Sequence, residues 1–151
     1  MNCAKLDSIE FAEGITCIPQ FLFAGCTGLK NGIVIPDTVE TIKDCAFYGC
    51  SALPTVTFSS SLTEISEKAF TNCTKLTVLE FPESLTTICN NAFSGCTQLS
   101  SIDVSNEIIG QAIGFVKDGF GEGVSVVVHS VSPFGFWFAH LSFVLLLLLR
   151  I

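Results

Sequence analysis

Cysteines and carboxylates are the residues of this chain best suited to chemistry, eight of the first and fourteen of the second. Cys3, Cys26, Cys50, Cys73 and Cys96 recur at a nearly constant step, which lengthens by a single position between Cys26 and Cys50. Thiols held at one phase of a repeat form a column, and cysteine is among the residues most often fully buried. Free thiols lining a core are therefore expected. The alternative is a disulfide between adjacent coils, wherever Cα atoms come within about 4.4–6.8 Å. Cys17, Cys45 and Cys89 occupy three other phases with no stacked partner. There is no Cys-x-x-Cys, and Cys45 and Cys50 have neither a second pair nor a histidine at ligand spacing. No zinc site is expected.

Nucleophilic catalysis by Ser or Cys needs a base, and His129 and His140 both lie in an apolar C-terminal stretch. Gly119-x-Gly121-x-Gly123 lacks the strand, helix and basic residue of a phosphate loop. No catalytic residue, cofactor or metal is expected, and the chain is not read as an enzyme. The carboxylates carry more information. Glu10, Glu80 and Asp103 share one repeat phase with Val34 and Thr57. Parallel strands would set these five in a row about 4.8 Å apart. Ser8, Thr55, Val78 and Ser101 supply the neighbouring outward positions. Such a row is a candidate binding face; ordinary surface solubility is the alternative. Thr57 interrupts the carboxylates, so no calcium cage is expected.

A repeat must position these rows. Ala46-Phe47-x-x-Cys50-x-x-Leu53 returns at Ala69 and again, after an identical step, at Ala92. A period of that length means that each unit stacks on its neighbours to bury its apolar side. Further apolar columns run through Ile9, Val56, Leu79 and Ile102, and through Phe11, Ile35, Phe58, Phe81 and Val104. Others are Ile15, Val39, Leu62, Leu85 and Ile108, and Ile18, Ile42, Ile65 and Ile88. Alternation from Leu79 to Phe81, closed by Pro82, predicts a short strand with one face buried. Leu85 to Ile88 predicts a second extended piece. The Ala-Phe-x-Gly-Cys stretch is too short for a helix and reads as a tight corner or a single 3₁₀ turn.

The unit Leu-x-x-Leu-x-Phe-Pro-x-x-Leu-x-x-Ile-x-x-x-Ala-Phe-x-x-Cys-x-x-Leu, as it runs from Leu76 to Leu99, closely resembles the BspA-like leucine-rich repeats. The resemblance covers Asn2 to Ile108. It implies a right-handed solenoid of short parallel strands, found in that family mainly in surface proteins of anaerobic bacteria and protozoan parasites, with adhesion and host or matrix binding as the associated activities. Two departures read as a local bulge: Leu22 replaces the corner alanine, and one extra residue stands between Leu29 and Ile35.

The expected fold is thus a repeat solenoid of about four to five coils with turns or 3₁₀ corners and an apolar C-terminal segment. Repeats would occupy 1–108, a Gly-rich cap or linker 109–123 and an apolar tail 124–151. Asn2-Cys3-Ala4-Lys5-Leu6 matches Asn72-Cys73-Thr74-Lys75-Leu76, so the array is expected to start mid-repeat, without its natural N-terminal cap, as a fragment of a larger protein. As such a fragment it is not expected to show the charged and apolar regions of a signal peptide before Leu6. Net charge is −7, which disfavours nucleic acid and anionic membrane surfaces as partners. Val124 to Leu149 has no charged side chain, and 131–151 supplies the roughly 20 apolar residues of a membrane span. A strand or helix packed on the solenoid end and an out-of-frame tail are the alternatives, and a lipid-anchor signal lacks a good polar spacer. The functional expectation is a non-catalytic module that binds a protein or glycan at a cell surface or membrane. Its rivals are a structural spacer or membrane-tethered scaffold, and a non-functional gene fragment.

Overall fold

The computed structural model describes residues 3–104 and 125–128. Within that range the backbone is a stack of short parallel strands joined by turns. The strands are β1 (Cys17–Ile18), β2 (Ile33–Val34), β3 (Thr41–Ile42), β4 (Val56–Thr57), β5 (Glu64–Ile65), β6 (Val78–Phe81), β7 (Thr87–Ile88), β8 (Ser101–Val104) and β9 (Ser125–Val128). One sheet has the order β1-β3-β5-β7. Its register sets Ile18 opposite Ile42, Ile42 opposite Ile65 and Ile65 opposite Ile88. On the other side of each coil β2 pairs with β4, and β6 with β8, which in turn pairs with β9. A parallel bridge from Thr55 to Val78 joins these two groups into one strand face.

Strand and turn chemistry explain each coil. Along Val78–Phe81 exposure alternates, with Val78 and Glu80 outward and Leu79 and Phe81 buried, as the pleat requires. Proline then ends the strand, since it has no N–H for the ladder. Its carbonyl closes the following turn, accepting Val39 N–H at Pro36 (2.9 Å) and Leu85 N–H at Pro82 (3.1 Å). The Ala-Phe corners are turns, and their amides alternate between two uses. Ala46, Tyr48 and Cys50 donate to carbonyls three residues back, whereas Cys45, Phe47 and Gly49 donate to Glu67, Ala69 and Thr71 of the next coil. A corner that spends half its amides on the neighbouring coil cannot become a helix.

The core runs along the stack. Ala46, Phe47, Cys50, Leu53, Ala69, Phe70, Cys73 and Leu76 are fully buried. Phe23, Phe47, Phe70 and Phe93 stack face to face with centroids 5.2, 5.0 and 5.3 Å apart. Ile33 joins the inward column opposite Val56. The extra residue before it is absorbed at Gly32, where φ is +74° and a Cβ would collide with the Thr55 hydroxyl. Leu22, at the first corner, is 48% exposed, in contrast to the buried alanines of later corners.

Of the 124–151 segment the structure describes Ser125–Val128, which continues the strand face with Ser101 opposite Ser125 and Ile102 opposite Val126. The 109–123 linker, the 131–151 candidate span, Ile108, His129 and His140 lie outside the described residues. Among the described residues no helix is long and apolar enough to cross a membrane.

Candidate binding face

The outward rows of the strand face are built by register. Val34 stands opposite Thr57, Glu80 opposite Asp103 and Val78 opposite Ser101. The Thr55–Val78 bridge continues the same offset between the two groups, so that Thr57 and Glu80 follow one another in the row. Ser8, Glu10, Val34, Thr55, Thr57, Val78 and Glu80 are exposed and Ser101 is half-buried. Ser8 and Glu10 precede β1, on a first coil that carries no strand among the described residues; there Ser8 Oγ reaches Asp7 Oδ1 at 3.4 Å. Val34 and Val78 are 68% and 42% exposed. Two β-branched apolar side chains are thus left in water on this face, as Phe21, Leu22 and Tyr48 are at the corners.

The rows do not lie flat. Thr55, Thr57, Val78 and Glu80 line a groove of about 460 Å³ together with Asp37, Ser60 and Pro82. Val56, Phe58 and Phe81 complete the lining. Asp37 and Ser60 share a phase just beyond the strand, with the first residue of the pair following Pro36. Asp37 Oδ1 accepts hydrogen bonds from the Ser60 amide and the Ser60 hydroxyl, each at 3.0 Å. That amide, and then the hydroxyl, hold the Asp37 carboxyl below its ordinary value. The groove lining therefore combines carboxylates with hydroxyls and a valine. Asp37 and Ser60 were not among the residues singled out from sequence. Their shared repeat phase was the available signal, but only the turn geometry brings them beside the strands.

The cysteine column is a ladder of thiol donors. Cys50 Sγ donates to the Phe23 carbonyl at 3.1 Å, Cys73 to Phe47 at 3.3 Å and Cys96 to Phe70 at 3.2 Å. Each of these carbonyls also accepts the N–H of the cysteine in its own turn, Cys26, Cys50 or Cys73. All eight cysteines are free thiols. Burial pushes Cys26 and Cys50 up to about 12, and contact with the Cys96 thiol, together with burial, raises Cys73 well above its ordinary value. Cys45 and Cys89, half-buried at other phases, are raised chiefly by desolvation as well. The same contact with Cys73 lowers Cys96, and Cys26, Cys50, Cys73 and Cys96 are buried as packing groups of the core. Among the described residues no group of three or more His, Cys, Asp or Glu is arranged to hold a metal ion.

Comparison with known proteins agrees with this geometry. Residues 1–113 match the BspA type Leucine rich repeat region in six copies, above the expected number of coils. A leucine-rich repeat protein from T. pallidum is 33% identical, with a TM-score of 0.57 over 61% of this chain and 44% of that one. A leucine-rich cell surface protein from Faecalibacterium prausnitzii is 28% identical, with a TM-score of 0.66 over 84% of this chain and 33% of that one. A leucine-rich repeat protein from Bacteroides capillosus is 30% identical, with a TM-score of 0.53 over 58% of this chain and 62% of that one. The chain spans less than two thirds of each of these proteins. No curated protein is significantly similar to it.

Proposed function

The chain belongs to the BspA-type leucine-rich repeat family, and on that footing we propose that it is a non-catalytic binding module whose outward strand face takes a protein or glycan partner. The observation that carries this reading is the groove of about 460 Å³ along that face, bordered by Thr55, Thr57, Val78 and Glu80. Pockets with apolar surface and a few convergent polar groups are where ligands bind. Parallel stacking supports the choice of face, because it repeats the same outward positions coil after coil and makes an extended surface. Surface placement is part of the proposal and rests on the cell-surface relative from Faecalibacterium prausnitzii.

The test is a triple variant, Thr57→Ala, Val78→Ala and Glu80→Ala, compared with the unaltered chain on a panel of purified extracellular proteins and a glycan array. All three side chains are exposed, so circular dichroism and the urea midpoint should stay unchanged while binding falls at least about tenfold, the equivalent of about 1.4 kcal/mol. A chain that binds nothing on the panel, or whose binding survives the triple change, is better described as a spacer that holds other domains apart.

A further inference from the structure

We infer that the groove receives a lysine or arginine side chain presented by a protein partner. This rests on the binding reading above and names the chemistry of its ligand. Among the described residues the groove lining holds two carboxylates, Asp37 and Glu80, and no Lys, Arg or His. The chain carries 14 acidic against 7 basic side chains, so the surrounding field favours a cation and repels sulfated or uronic-acid glycans. The same lining carries Val78, two residues before Glu80 on the outward side of β6, and the hydroxyls of Thr55 and Thr57. That mixture suits a long basic side chain. Its methylene stem lies along Val78 while its head group pairs with Glu80, and Asp37 adds to the negative field of the groove. Asp37 is already fixed in place by Ser60 through two bonds of 3.0 Å, so little side-chain order remains to be lost there on binding. A protein is favoured over a free amine because the apolar contact continues past the groove. Val34, opposite Thr57 in the adjoining strand, is 68% exposed and offers area that a small cation would leave uncovered.

The test uses the full chain and a fluorescein-labelled peptide that alternates arginine with threonine, read by fluorescence anisotropy, beside the same peptide with glutamine for arginine. The arginine peptide should bind and the glutamine peptide should bind at least about tenfold more weakly. Glu80→Gln should weaken the arginine peptide about fivefold or more, and adding Asp37→Asn, which can still accept from Ser60, should weaken it further. Glu13→Gln, an exposed carboxylate outside the groove, should leave it unchanged, and raising salt should weaken it. Equal binding of the two peptides, or an equal loss from Glu13→Gln and Glu80→Gln, overturns the inference, since either reports non-specific attraction. If the arginine peptide fails while an array ligand is still lost in the Thr57, Val78 and Glu80 triple variant, the cationic ligand falls and the binding face stands. If neither binds, both fall.

Discussion

At the scale of single residues, the buried thiols link folding to pH. Cys50 sits fully inside the stack, donates to the Phe23 carbonyl and is raised by burial from 9.0 to about 12. An unfolded thiol releases its proton near pH 9, whereas the folded one keeps it to about 12. Between those values the folded chain binds more protons, so its stability is full below about pH 9 and declines as pH rises toward 12. Urea midpoints measured from about pH 8 to about pH 11 should therefore fall, and Cys50→Ala should make the decline shallower. A slope identical to that of the unaltered chain would show that this thiol is not the group responsible.

The element that organises each coil is the corner, where alanine lets neighbouring turns approach and phenylalanine fills the space behind. Phe70 lies between Phe47 and Phe93 at 5.0 and 5.3 Å and takes the edge of Phe58 at 5.9 Å. Replacing it removes a fully buried ring together with its stacking contacts, each worth about 0.5–1.5 kcal/mol beyond area. Phe70→Ala should cost about 3–5 kcal/mol in urea denaturation. Phe23 is only half-buried, stacks on Phe47 and meets Phe11 edge-on, so Phe23→Ala should cost clearly less. Equal losses would mean that neither the fuller burial of Phe70 nor its additional stacking partner adds to its contribution.

Across the whole molecule, stability follows from stacking, because each coil bonds chiefly to the coils on either side of it. Such arrays behave as a sum of unit and interface terms, and their ends open most readily. In the first coil Cys3, Leu6, Ile9, Phe11 and Ile15 are only partly buried, while their counterparts Cys50, Leu53 and Leu62 are wholly so. Native-state hydrogen exchange should show graded protection. The Phe47 and Phe70 amides, bonded to Ala69 and Ala92 at 2.8 and 2.7 Å, should exchange slowest, and the Leu6 amide, bonded within its own turn to Cys3, should exchange fastest. Uniform protection would show instead that the array opens as one cooperative unit.

The division between what sequence settles and what folding settles follows from range. A strict repeat period with alternating apolar positions leaves one consistent way to bury the Phe, Cys, Leu and Ile columns, so the inward columns, the strands β2 to β8 and the outward placement of Thr57, Val78 and Glu80 are legible from residue types alone. Pattern specifies which way a side chain points. It does not specify what that side chain meets, because partners are set by the rise between coils and the path of each turn. Thus the pairing of Asp37 with Ser60, the groove it closes and the carbonyls that accept the Cys50, Cys73 and Cys96 thiols appear only in the stacked structure. The same reason accounts for Ser125–Val128. Its apolar run is compatible with a strand, a helix or a membrane segment, and its backbone pairing with β8 is what makes it a strand.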